Sequence, residues 1–321
     1  MAKRKIRVGL IGCGGNMRGA HIPRLKADGR VELVAVADPE EASARQLLEV
    51  WGAEAAYYAD YRQMIGADAL DGVLISSPHS THYEQARYAL ERGLHVLIEK
   101  PLTTKARHAQ ALVDLAAEQE RLLVVSYQRH FYPAYAYARE LVQKGALGEL
   151  KGVVAYVTQN WGGRGWRTVP ELAGGGMFMD TGSHLVAVVL WITGLTPVKV
   201  SAFMDKRGKR VDMDAVVNAR FRGGALGSLS FIGSASRHDE RLSIHGDKGT
   251  LVFHLHQWQV REVLLNGEPL AVPKRVREDT PDAAFLRWIR NGGKGYEQAD
   301  FAVAVAKFTE AAYRSLEQKR R

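Results

Sequence analysis

A doubly wound Rossmann domain, α/β in class, followed by an α+β domain with a large antiparallel sheet, is the architecture this sequence predicts. Three observations predict it. Short apolar runs alternate with helix-length segments over residues 1–126. Beyond residue 126 the pattern changes to long strands joined by glycine-containing turns. The first apolar run also ends in a cluster of glycines. Continuous β-rich runs separated by helices of about ten or more residues indicate βαβ units and a parallel sheet, whereas consecutive hairpins indicate antiparallel pairing.

Taken in order, Ile6–Ile11 is the first strand, and Val31–Ala37 is the second, stopped by Asp38-Pro39. Gly72–Ile75, His95–Ile98 and Leu122–Ser126 follow as strands, with helices expected over Glu41–Val50, His82–Arg92 and Thr104–Glu120. The change of pattern near Ser126 divides the chain into two halves, 1–126 and 127–321. In the second half Pro133–Lys144 and Phe178–Ile192 read as helices. Asp214–Phe221 and Ala225–Ile232 flank Arg222-Gly223-Gly224, Leu242–His245 and Thr250–His254 flank Gly246-Asp247-Lys248-Gly249, and Val260–Leu265 and Pro269–Val272 flank Asn266-Gly267. Each is a hairpin signal. Thr280 and Pro281 suit the N-cap and first turn of a helix, and Glu297–Glu317 forms a last one.

The 321 residues carry 44 Lys+Arg against 35 Asp+Glu, a formal charge of +9. That excess raises the question of a nucleic-acid partner. It is gathered in short clusters instead: Lys3, Arg4, Lys5 and Arg7; Lys206-Arg207-Gly208-Lys209-Arg210; Lys274-Arg275; and Lys319, Arg320 and Arg321. No basic stripe interleaved with aromatics joins them, so no nucleic-acid partner is expected. Cys13 is the single cysteine and has no disulfide partner within the chain. No run approaches the roughly 18 apolar residues of a membrane helix, and glycines break the first apolar run too early for a signal peptide. A cytoplasmic protein without a membrane partner is expected.

The segment Gly12-Cys13-Gly14-Gly15-Asn16-Met17 lies between a strand and an expected helix. Glycines there let the backbone approach a pyrophosphate, which a helix N-terminus favours. Met17 occupies the place of the usual third glycine, and Gly19 follows two residues later. Asp38, 21 residues after Met17, stands where a carboxylate receives a ribose 2′-hydroxyl and repels a 2′-phosphate. The expected cofactor is therefore NAD, in preference to NADP.

Lys100 directly follows an apolar strand at its carboxyl end, beside Pro101, where ligands of open α/β sheets bind. Asp180 and His184 are spaced to share one face of a helix that begins at Gly174-Gly175-Gly176. An Asp beside a His orients the ring and favours its charged form. The pairs His79/His82 and His254/His256 offer only two ligands each, so no metal is expected. No Gly-x-Ser-x-Gly elbow supports a serine nucleophile.

These motifs, in this order, resemble the Gfo/Idh/MocA oxidoreductases, the group of glucose–fructose oxidoreductase and inositol dehydrogenase. The resemblance rests on Gly12-Cys13-Gly14-Gly15, Glu99-Lys100-Pro101 and Gly174-Gly175-Gly176 through Asp180 and His184. Ser77-Pro78 with His82, Tyr127-Gln128-Arg129, Gly165-Trp166-Arg167 and Ile244 through Leu251 extend it over residues 6–254. It implies NAD(P)-dependent hydride transfer at a hydroxyl-bearing carbon of a sugar, inositol or sugar derivative. Lys100, Asp180 and His184 would be the catalytic set, with Lys100 and His184 as acid–base pair. The cofactor would meet Gly12, Gly14, Gly15, Asn16, Met17, Asp38, Ser76, Ser77, Pro78, His82, Glu99, Lys100, Gln128, Trp166 and Arg167. The substrate would meet Lys100, Arg129, Tyr132, Trp161, Arg164, Asp180 and His184, with His130 nearby. Ala187 departs from the family, whose members often carry an acid there. Alternatives are a NAD-dependent glycosidase working by transient oxidation and elimination, and a cofactor-binding regulator without chemistry. A homodimer or homotetramer through the antiparallel sheet is expected.

Overall fold

The computed structural model describes residues 4–293, 296 and 299–318. Lys3, Lys319, Arg320, Arg321 and the expected helix start at Glu297 lie outside the described residues. The chain forms two compact units, and the first is built from Met1–Thr103, Arg107–Ser126 and Asp279–Asp300.

The strands of the first unit are β1 (Ile6–Ile11), β2 (Val31–Ala37), β3 (Ala56–Tyr58), β4 (Gly72–Ile75), β5 (His95–Ile98) and β6 (Leu123–Val125). They form one parallel sheet in the order β3-β2-β1-β4-β5-β6. Helices α1 (Ile22–Asp28), α2 (Glu41–Trp51), α3 (Tyr61–Ala67), α4 (His82–Glu91) and α5 (Ala106–Glu118) connect them. The strand order reverses between β1 and β4, and such a reversal opens a crevice at the carboxyl ends of the strands. Four strand positions match the sequence reading because buried parallel strands are continuously apolar. The last is shorter than expected, and β3 and α3 are additions whose segments are too brief to show a period.

The expected division at residue 126 needs correction at its far end, because the second half is not continuous. Helix α9 in chain order (Pro281–Arg290) belongs to the first unit. Its Phe285 and Leu286 are fully buried in one core with Val8, Leu10, Leu97 and Val124. Thr280 caps the helix as expected, its hydroxyl accepting from the Ala283 N–H at 3.1 Å.

The second unit contains α6 (Pro133–Gln143), β7 (Leu150–Asn160), α7 (Pro170–Ala173), α8 (Ser183–Thr193) and a series of strands. These are β8 (Pro197–Asp205), β9 (Asp214–Phe221), β10 (Leu226–Ile232), β11 (Ser234–Gly246), β12 (Thr250–His256), β13 (Gln259–Leu265) and β14 (Glu268–Pro269). Helix α10 (Asp300–Gln318) ends the described chain. The sheet order is β14-β13-β12-β11-β7-β10-β9-β8. All three predicted hairpins form. The sheet is mixed, however, because β7 and β10 pair in parallel. That pairing joins strands distant in sequence, so no turn signal announces it. The strand expected over Pro269–Val272 shrinks to Glu268–Pro269, where proline removes a ladder donor.

One helical stretch among the described residues, Pro170–Thr193, is long and apolar enough to cross a membrane. This corrects the expectation of none. Of its most apolar window 83% is buried within the protein, where α8 packs on α6 and β7. An all-round apolar helix is what such a core position requires.

Candidate active site

The first unit supplies a nucleotide cradle at the carboxyl ends of β1, β2, β4 and β5. Gly12 has φ +85°, and a Cβ there would stand 2.6 Å from the Ser76 carbonyl oxygen. Only glycine fits so close an approach. Gly14 and Gly15 have nothing within 4 Å of a would-be Cβ, so their backbone faces open space. Helical backbone starts at residue 15 and continues to residue 28. An open glycine backbone leading into a helix N-terminus fits a dinucleotide pyrophosphate.

Met17 explains how the chain manages without the third glycine. It is fully buried, and the helix widens into a π turn over Met17–His21. The wider turn makes room for a side chain where close helix–strand packing ordinarily requires none. Gly19 has nothing near it and takes no part in that packing.

Asp38 closes the far side of the loop. One carboxylate oxygen accepts from the Cys13 N–H at 2.7 Å and the other from the Glu40 N–H at 2.9 Å. Burial, reinforced by Asp38, pushes the Cys13 thiol up to about 12, so it stays protonated. Asn16 reaches the Ser76 hydroxyl at 3.2 Å, tying the glycine loop to the end of β4. His82 is fully buried, with Nδ1 2.8 Å from the Pro101 carbonyl and Nε2 3.1 Å from the Ser77 carbonyl. It joins the Ser77-Pro78 turn to the turn after Lys100. Burial pushes its pKa below the usual histidine value. Glu99 is buried and accepts from the Lys100 N–H at 3.2 Å, while Lys100 is part-exposed.

The second unit builds its site on the turn before α8. Residues 178–182 form a π turn rather than the α-helix expected from Phe178, so Asp180 and His184 are not aligned as on an α-helix. From residue 176 to residue 190 every position is buried except His184. A lone part-exposed histidine in an otherwise buried apolar run marks where the helix meets solvent. The His184 ring meets Tyr127 edge-on at 6.1 Å.

Asp180 is buried, and its Oδ2 accepts from Trp161 Nε1 at 3.1 Å and lies 3.2 Å from Arg167 Nε. The loop after β7 thus converges on Asp180, which sequence spacing could not reveal. Trp161 is buried, Arg167 lies over the Trp166 ring at 4.6 Å, and Arg164 is exposed. Arg129 is buried in a bidentate pair with Glu240, its Nη2 2.7 Å from Oε2. His130 stacks on Trp191 at 4.3 Å and meets Phe301 at 4.5 Å. Enclosure pulls its pKa down to about 3, so its ring is neutral. Tyr132 and Gln128 are part-exposed beside the short 3-10 turn Gln128–Phe131.

Asp212 is a residue that sequence reasoning missed. Its buried carboxylate accepts from the Gly176 N–H at 2.7 Å, the Phe178 N–H at 2.9 Å and the Tyr313 hydroxyl at 2.7 Å. It pins the start of the Asp180 turn.

Residues 6–127 match the family described as "Oxidoreductase family, NAD-binding Rossmann fold", and residues 135–252 match the GFO/IDH/MocA C-terminal domain. The chain belongs to the GFO/IDH/MocA oxidoreductase family. Among its curated relatives, D-glucoside 3-dehydrogenase of Escherichia coli is 32% identical over 62% of this chain and 57% of its own length. D-xylose 1-dehydrogenase (NADP(+)) 2 of Haloferax volcanii is 34% identical over 60% of this chain and 59% of its own. The chain therefore spans less than two thirds of these relatives. GenD2 from gentamicin A biosynthesis, solved in complex with NAD, superposes with a TM-score of 0.84 at 25% identity, covering 99% of this chain and 96% of that one. Levoglucosan dehydrogenase shares the fold at 22% identity, with a TM-score of 0.81 over 99% of this chain and 98% of its own.

Proposed function

We propose that the chain is a NAD-dependent oxidoreductase acting on a hydroxyl-bearing carbon of a sugar, inositol or sugar derivative, with Lys100 and His184 as its acid–base pair. The observation that carries this reading is His184, the single part-exposed position in the buried run 176–190. Nicotinamide, when bound, supplies the hydride acceptor at its C4. Gly12, Gly14, Gly15 and Asn16 would hold the pyrophosphate on exposed backbone, with Met17 packed beneath them. Ser76, Ser77, Pro78, His82, Glu99, Gln128, Trp166 and Arg167 would complete the cofactor's surroundings.

A ring nitrogen of His184 takes the proton of the hydroxyl being oxidised, and the Lys100 ammonium holds that hydroxyl by hydrogen bond. Asp180, fixed by Trp161 and Arg167, keeps the substrate side polar. Arg164 and Tyr132 offer further polar contacts, and Arg129 acts through its pair with Glu240. A screen of sugars, inositols, sugar acids and glycosides at 340 nm tests the reading. A sugar or polyol should give net NADH, whereas a redox-neutral glycosidase would release free sugar without it.

Asp38 supports NAD over NADP. Its carboxylate, held by two backbone donors, leaves lone pairs for a ribose diol and repels a 2′-phosphate. Asp38→Ser is expected to move the ratio of kcat/KM for NAD over NADP by about tenfold or more toward NADP. Steady-state rates with both cofactors measure it.

The open face of the sheet supports self-association. Phe203 pairs with Val216 across β8 and β9, and Val154 and Leu226 are exposed on the same face. An apolar sheet face of this kind is commonly covered by another subunit. Light scattering should give a multiple of the 35.5 kDa chain mass.

A further inference from the structure

The cradle described above leaves a buried ionic cluster of the first unit without a task. His21, the last residue of the π turn, is 1% exposed. Its Nδ1 lies 2.6 Å from Asp282 Oδ1 on α9, and its Nε2 lies 3.1 Å from Glu99 Oε1 at the end of β5. The other Glu99 oxygen accepts the Lys100 main-chain N–H. The ring therefore faces a carboxylate at both nitrogens. A neutral imidazole has a single N–H and would turn a lone pair toward one of them.

We propose that His21 is a positioning residue for Lys100: as an imidazolium clamped between Asp282 and Glu99, it fixes the carboxylate that holds the Lys100 main chain. The inference rests on the oxidoreductase reading, because it gives the cluster its purpose.

The two carboxylates favour that state, and the nearby cations are paired with those same carboxylates. From its own helix, Arg24 Nη1 lies 3.2 Å from Asp282 Oδ2. From the end of β5 come Glu99 and, beside it, Lys100, which acts on Glu99; from α9 comes Asp282; from α4 comes His82, on which Glu99 acts. Two carboxylates are thus balanced by the imidazolium and the guanidinium. Burial alone would lower the His21 pKa, but Asp282 and then Glu99 outweigh it and hold it up at about 10. Glu99 is held well below the usual carboxylate range by His21, against the opposing effect of burial. The linkage follows in sign. The clamp's contribution to stability is complete below pH 6.5 on the histidine side and is lost as pH rises through about 10. Buried ion clusters are poor sources of net stability but fix geometry, which suits a positioning task.

The test uses the whole chain. Ring ¹⁵N shifts of histidine-labelled protein, assigned by difference against His21→Gln, should show both His21 nitrogens protonated at about pH 8. His21→Gln should lower kcat about tenfold or more while the NADH Kd stays within about threefold, since Lys100 and not the glycine loop is released. Its kcat should also gain a second ionisation on the acid side, where an unpaired buried carboxyl titrates, beyond the single one that the His184 base gives the native chain. Asp282→Asn should reproduce these effects more weakly and serves if His21→Gln does not fold. A neutral His21 ring at pH 8, or a folded variant with native kcat and pH profile, overturns the proposal alone. Absence of any sugar-dependent turnover in the native chain overturns the oxidoreductase reading and the proposal with it.

Discussion

Replacing His184 with alanine is expected to lower kcat by about 10²–10⁴-fold, the range for loss of a positioned acid–base group. Stability should change by no more than about 1 kcal/mol. The two effects separate because of where the ring sits. Its neighbours from 176 to 190 are buried, and they carry the packing of α8, while His184 alone reaches the surface. Alanine retains helix propensity, and truncation of a part-exposed side chain leaves no closed cavity. Steady-state kinetics and a urea titration on the same preparation check both halves. The loss should be greatest near neutral pH and partly relieved at high pH, where hydroxide replaces the missing base.

Gly176→Ala is the second large effect, and it is expected to act through stability. A Cβ at residue 176 would stand 1.9 Å from the Asp212 carbonyl oxygen and 2.7 Å from its nitrogen. Both atoms are backbone and cannot swing aside. The same residue 212 accepts the Met177 N–H at 2.8 Å through that carbonyl, and the Gly176 and Phe178 N–H groups through its carboxylate. Moving it would therefore undo three hydrogen bonds at the start of the Asp180 turn. A cost of about 3 kcal/mol or more is expected, beyond ordinary overpacking, with activity falling in parallel. A chemical denaturation midpoint measures it. Gly194, at a helix end with nothing near it and φ +67°, should give a smaller loss of about 1 kcal/mol when changed to alanine, from backbone strain only.

The fold was legible in the sequence wherever its physics is local. The strands at Ile6–Ile11, Val31–Ala37, Gly72–Ile75 and His95–Ile98 show themselves because a strand buried on both faces is continuously apolar. Hairpins at Gly223-Gly224 and Asn266-Gly267 show themselves because the chain needs positive φ there. What stayed hidden depends on contacts between distant segments. The parallel pairing of β7 with β10 has no turn to announce it, and the return of α9 to the first unit depends on where Phe285 and Leu286 find their core.

The candidate site divides in the same way. Gly12, Asp38, Lys100 and His184 stand at positions that strand ends and helix spacing mark. Asp212, Glu240 and Asp282 were not foreseen, because a buried carboxylate is defined by donors far away in the chain. Arg129 reads as a substrate contact from its place beyond the last strand of the first half, beside His130 and Tyr132, yet its guanidinium is held by Glu240. Trp161 similarly reads as an aromatic facing a sugar, whereas its indole N–H is given to Asp180. The sequence supplies the residue types; only their partners show which of them face a ligand.

Hydride transfer from the substrate carbon to the nicotinamide can be followed with an isotope. The best sugar or polyol from the screen, carrying deuterium on the carbon that is oxidised, would be incubated with NAD and the native chain. One deuterium is expected at C4 of the NADH formed, with unlabelled oxidised product in equal amount. NADH without the label, or label lost only to water, would contradict such a transfer.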